Sequence, residues 1–179
     1  NNVVDVPFRR FNYNQRMHIW NRNNTVAQIF RTVGAGHGRF KLLVNARRHL
    51  AIGSNFSRYG AGYRAVLIHA NSRNGTQRLH WNRHNKRIST RIRGKTYCLD
   101  AAHGRNKRGT PLIWWRCHNH KNQKFVFYYG VRPHTSRPPA HHVKLNQNAV
   151  VRILNGGNNV VDVPFRRFNY NQRMHIWNR

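Results

Sequence analysis

Carboxylates are the scarcest reactive groups in this chain. Asp5, Asp100 and Asp162 are the only acids among 179 residues, and there is no glutamate. A domain of average composition would carry about twenty. So few acids exclude reactions that need a pair of carboxylates, most glycoside hydrolysis among them. They also argue against Ca²⁺ or Mg²⁺ cages, which are built from carboxylate oxygens. A lone carboxylate can still accept charge-assisted hydrogen bonds from hydroxyl groups. Thirteen histidines are present, and such side chains titrate between about pH 5 and 8. His118-Asn119-His120 and His141-His142 have metal-ligating types. The sequence suggests no third ligand beside either, and no metal or other cofactor is expected. Gly-x-Ser-x-Gly, a phosphate loop and His-Glu-x-x-His are all missing. The chain is therefore expected not to be an enzyme.

Against the three acids stand 33 lysines and arginines, for a formal net charge of +30. They are dispersed, at Arg9-Arg10, Arg47-Arg48, Lys86-Arg87, Arg105 through Arg108 and Lys121 to Lys124, with aromatics between them. Such a surface suits polyanions, whether nucleic acid, sulfated glycan or anionic membrane. No nucleic-acid-binding motif accompanies it. Either the surface is selected for polyanions, or asparagine stands here where the natural chain has carboxylates; intact mass separates the two. Hydrophobic residues make up 39% and aromatics 12%, spread along the chain, which is enough for a core. No apolar run approaches the roughly 18 residues of a membrane span. No signal peptide is visible, and the chain begins mid-pattern, as a mature or trimmed protein would. Asn23-Asn24-Thr25, Asn55-Phe56-Ser57 and Asn74-Gly75-Thr76 are N-glycosylation sequons.

The elements that must position these groups come from repetition. Residues 1–22 and 158–179 are identical letter for letter, an offset of 157 residues. The chain thus reads as one 157-residue unit followed by the start of another. It is a window on a tandem array, a duplication, or a spare segment that completes a neighbour head to tail. A weaker threefold repeat lies within. Gln-x-apolar occurs as Gln28-Ile29-Phe30, Gln77-Arg78-Leu79 and Gln123-Lys124-Phe125. Eight residues before each Gln stands Trp20, His69 or Trp115, ending the apolar runs Met17–Trp20, Ala65–His69 and Leu112–Trp115. Upstream come Val3–Val6, Leu50–Ile52 and Cys98–Asp100; downstream come Phe40–Val44, Arg87–Thr90 and Val150–Leu154. Gly, Asn and Pro separate these stretches, so each unit reads as four short strands. The units are 1–48, 49–95 and 96–157, and 158–179 restarts the first. An all-β, closed, threefold assembly is expected. Cys98 and Cys117 fall on the first two strands of unit three. A disulfide there closes a loop of about 20 residues, contributing about 3 kcal/mol, and implies an oxidising compartment. The alternative is two free, buried thiols.

Tyr97-Cys98-Leu99-Asp100-Ala101, then Ile113-Trp114-Trp115-Arg116-Cys117, then Asn122-Gln123-Lys124-Phe125 resembles the ricin-B-type β-trefoil lectins. Their repeat reads Cys-Leu-Asp, a strand ending aromatic-x-Cys, then Asn-Gln-x-Trp. The resemblance covers all three units and is strongest over 96–127. Phe or Leu replaces the last Trp throughout, and units one and two lack both cysteines. Unit three carries an insertion, Gly130–His142, with Pro133, Pro138 and Pro139, which reads as a long surface loop.

The resemblance implies a β-trefoil with one shallow sugar site per unit. In such a site a carboxylate takes sugar hydroxyls, an aromatic face packs on sugar C–H groups, and the Asn-Gln pair holds the rest. Carried over residue by residue, unit three offers Asp100, Trp115, Asn122 and Gln123, with Ile113 where a polar residue is common. Unit one offers Asp5, His18, Trp20 and Gln28, with Ala27 in place of Asn. Unit two has Ala51 at the carboxylate position and His69 at the aromatic one, and reads as inactive. Asp162, His175 and Trp177 repeat the pattern without a following Gln. Gln28 and Gln123 also suit a purely structural role, their amides bonding backbone in a tight turn. Trp114 and Trp115 point to opposite faces by strand alternation, and the phase favours Trp115 as the exposed one. The expected function is a non-catalytic, secreted or cell-surface carbohydrate-binding module within a tandem or filamentous assembly. Its partners are glycans, and copies of itself. The alternatives are a structural filament or coat protein, and a basic binder of sulfated glycan or nucleic acid.

Overall fold

The computed structural model describes residues 2–23, 25–71, 73–129 and 150–155. The expected loop at 130–142, His141-His142, and the 158–179 copy with Asp162, His175 and Trp177 lie outside the described residues. Fourteen strands are described: β1 (Asn2–Asp5), β2 (His18–Asn21), β3 (Phe30–Gly34), β4 (Phe40–Val44), β5 (Arg47–Gly53), β6 (Arg58–Tyr59), β7 (Gly62–Arg64), β8 (Val66–His69), β9 (His80–Asn82), β10 (Arg87–Ile92), β11 (Lys95–Ala101), β12 (Leu112–Trp115), β13 (Phe125–Tyr129) and β14 (Val150–Asn155). The helical elements among the described residues are short 3₁₀ turns. None is long and apolar enough to cross a membrane.

Among the described residues every strand pairing is antiparallel, and one set recurs around the molecule. First strands pair with second strands: β1 with β2, β5 with β8, β11 with β12. The hairpins β3–β4, β9–β10 and β13–β14 follow. The first strands also pair backwards, β5 on β4, β11 on β10, and β1 on β14 through Val3 and Leu154. The start of the chain is thereby sewn to residues 150–155. These strands form where β-branched and aromatic residues cluster, as in Val3-Val4 and Val66-Leu67-Ile68. Phe30, Leu79 and Phe125, each two residues after a repeat glutamine, are completely buried in one core with Val4, Ile19, Leu67 and Trp114.

Three backbone bonds form a closed ring. Met17 N–H donates to the Ala65 carbonyl at 3.0 Å, Ala65 to Leu112 at 3.1 Å, and Leu112 to Met17 at 2.9 Å. Each of these residues stands at the entry to a second strand. Buried amides must find acceptors, and here each finds its partner in another third of the chain.

Two local features differ from the sequence reading. The β6–β7 hairpin is an addition to unit two. Its strands have two and three residues, too short for an alternating pattern to register. The third strand of unit two lies at His80–Asn82, while Leu79 itself forms only an isolated bridge with Phe40.

Candidate functional site

The repeat glutamines Gln28 and Gln123 shape the backbone around them. Gln123 is fully buried. Its Nε2 donates to the Arg116 carbonyl at 2.9 Å, and its Oε1 accepts from His118 N–H at 2.8 Å. Gln28 does the same in unit one, donating to the Asn21 carbonyl at 2.9 Å and accepting from Asn23 N–H at 3.0 Å. Both side chains latch the chain as it leaves the second strand. Each ends a 3₁₀ turn, Val26–Gln28 or Lys121–Gln123.

In unit three the latch reaches further. Gln123 Nε2 also donates to Asp100 Oδ2 at 2.8 Å. His118 Nε2 lies 3.2 Å from the same oxygen. His118 Nδ1 accepts the His120 backbone N–H at 3.3 Å, so the neutral ring carries its proton on Nε2, the nitrogen nearer Asp100. Asn122 Nδ2 donates to the Ala101 carbonyl at 3.1 Å. Asp100 is only 3% exposed. Burial pushes its carboxyl above the ordinary value, while Gln123, His118 and Asn122 pull it back down. Asp100, Asn122 and Gln123 are thus brought together, with His118 as a fourth member that the sequence reading did not include. The signal for it was its place one residue after Cys117.

Above this network lies an open depression of about 600 Å³, lined by Gly104, residues 118–122 and Lys124. The His118 and His120 rings lie 4.7 Å apart, tilted by 57°. Trp115 is not in this lining. Trp114 is fully buried and donates its indole N–H to the Gly53 carbonyl at 2.9 Å. Trp115 is partly exposed, but its ring lies against the β6–β7 hairpin. A Cβ at Gly62 would come within 2.6 Å of that ring and 2.5 Å of the Trp114 carbonyl. Cys98 and Cys117 form a disulfide, which fixes the loop that carries His118.

Unit one assembles a smaller cluster. Asp5 and His18 face each other across β1 and β2, and His18 Nε2 donates to Asp5 Oδ2 at 2.7 Å. The His18 ring stacks on Trp20 at 5.1 Å. Arg108, from unit three, sits 5.0 Å from the Trp20 ring, a cation–π contact. The corresponding place opposite Asp100 is held by Ile113, so unit three draws its histidine from a loop instead. In unit two the strand register corrects the sequence alignment. Leu50 pairs with His69 and Ile52 with Leu67, which puts Ile52, not Ala51, at the carboxylate position. The alignment slipped by one residue because no acid anchors it there. No carboxylate is supplied either way. His69 stacks on Tyr13 of unit one at 4.9 Å. Each of the three aromatic positions is therefore overlain by a loop of another unit. Among the described residues, no three metal-ligating side chains gather.

No protein family matches the chain, and no curated protein sequence does. Among solved structures it is similar to a designed 3-fold symmetric protein, ThreeFoil, at a TM-score of 0.60 and 16% identity, covering 68% of this chain and 86% of that one. At that identity the likeness shows the fold alone. The chain is an all-β β-trefoil.

Proposed function

We propose that this β-trefoil is a non-catalytic carbohydrate-binding module of the ricin-B type, built of three four-stranded units over 1–48, 49–95 and 96–157. One observation carries the reading: the buried Asp100 network fixes His118 and Asn122 beneath the open depression. Pre-set polar groups under a shallow concavity suit a hydroxyl-rich ligand. The imidazole faces of His118 and His120 take the packing role that the resemblance gives to Trp115. Asp100 acts by holding these groups in place. Unit one, with Asp5, His18 and Trp20, supplies a second, weaker site.

The disulfide favours a secreted or cell-surface location. The exact repeat favours tandem or head-to-tail assembly, in which several weak sites gain avidity. A single discrete species of 21.3 kDa in light scattering would count against assembly. The binding test is an immobilised panel of oligosaccharides at about 0.15 M salt. Wild type should bind a subset. Asp100→Asn and His118→Ala should lose that binding together while remaining folded by near-UV circular dichroism. Retention by both folded variants would refute the assignment.

A further inference from the structure

The depression in unit three carries two lysines in its lining and keeps the one carboxylate of its network buried. Asp100 Oδ2 already accepts from Gln123 at 2.8 Å and lies 3.2 Å from His118 Nε2. The aspartate is 3% exposed. A ligand hydroxyl that needed this carboxylate as its acceptor would have to compete with Gln123 for a nearly buried group. The rim carries the opposite chemistry. Lys121 and Lys124 are ammonium groups with three donors each and no acceptor. His120 is exposed beside them. The Arg87 guanidinium, donating to the His118 carbonyl at 3.2 Å, adds positive charge behind the loop. Asp100 is the only carboxylate among the described residues of this unit.

From this we infer that the saccharide taken by the depression is anionic, its sulfate or carboxylate oxygens held by Lys121 and Lys124. The inference rests on the carbohydrate-binding reading and narrows it to one class of sugar. It also differs from attraction to a chain of net charge +30 as a whole. A diffuse field is indifferent to which two charges are removed, whereas a site is not. Bonds between charged partners are the strong kind, so two of them in one concavity should stand out above the background.

The test compares two double variants of equal charge change, Lys121→Gln/Lys124→Gln and Arg47→Gln/Arg48→Gln. Arg47 and Arg48 are exposed on β5, outside the depression. The probes are a heparin-derived tetrasaccharide, its desulfated form, which keeps the carboxylates, and a neutral tetrasaccharide. Wild type should prefer at least one charged probe to the neutral one by about tenfold or more. The lysine pair should abolish that preference, and the arginine pair should change affinity less than about twofold. Preference for the first probe alone assigns the anion as sulfate; equal binding of the first two assigns carboxylate. Equal losses in both variants would overturn the site in favour of diffuse charge. Neutral binding as tight as charged, unmoved by either variant, would overturn the anionic class and leave the carbohydrate reading standing. Binding of none of the three would overturn both.

Discussion

Replacing Gln123 with alanine should be among the most damaging single changes near the depression, and its cost can be worked from the bonds it breaks. Three are lost: to the Arg116 carbonyl, from His118 N–H, and to Asp100. A neutral hydrogen bond contributes about 1 kcal/mol and one to a charged partner about 2 kcal/mol. Gln123→Ala should therefore destabilise by about 4 kcal/mol. Gln28→Ala breaks only the two neutral bonds of the equivalent latch and should cost about 2 kcal/mol. The excess is the share that belongs to Asp100. A double-mutant cycle of Gln123→Ala with Asp100→Asn isolates it, and the coupling should be about 2 kcal/mol. Urea unfolding at neutral pH gives all the values. For a chain of this size the two glutamine variants should differ in melting temperature by roughly 4–8 °C. If Gln123→Ala costs no more than Gln28→Ala, or the coupling falls below about 0.5 kcal/mol, the network around Asp100 is not what holds the loop.

Three further outcomes are expected. Cys98→Ser/Cys117→Ser opens a cross-link with a sequence separation of 19 and should cost about 3 kcal/mol by the chain-entropy relation; unchanged unfolding under reducing conditions would contradict this. Gly62→Ala sets a methyl against the Trp114 carbonyl and the Trp115 ring and should cost about 1–3 kcal/mol, with altered tryptophan fluorescence; wild-type stability and an unchanged spectrum would mean that the hairpin does not pack there. Because burial raises the Asp100 carboxyl above its ordinary 3.8, the folded state holds a proton that the unfolded state has released over that interval. The resulting stability is full below the unfolded value and is lost as pH rises through the folded one. Wild type measured against Asp100→Asn should lose relative stability from about pH 4 upward, and a relative gain would contradict the burial argument.

The pattern of apolar runs made most of the fold legible. Met17–Trp20, Phe40–Val44 and Leu112–Trp115 coincide with β2, β4 and β12 within a residue, because buried strands between Gly and Asn breaks leave a strong signal. The grouping of Asp100 with Asn122 and Gln123 was legible only through the resemblance to the ricin-B-type repeat. Three things were not. Ile52 rather than Ala51 stands opposite Leu67, since register is set by neighbouring strands and an alignment without an acid had nothing to fix it. His118 was hidden because its role depends on a loop conformation held by Gln123. The covering of Trp115 by Gly60 and Gly62 was hidden because it joins residues about fifty positions apart.

That covering has a consequence for how such a molecule can be altered. The stretch that decides whether anything reaches Trp115 is encoded in the preceding unit, that over Trp20 in unit three, and that over His69 in unit one. A unit copied or transplanted by itself would carry its platform without its lid. Access to each aromatic position in this architecture is set at a junction between neighbours, and loop exchange at 58–64 would change the surroundings of Trp115 while its own unit keeps every residue.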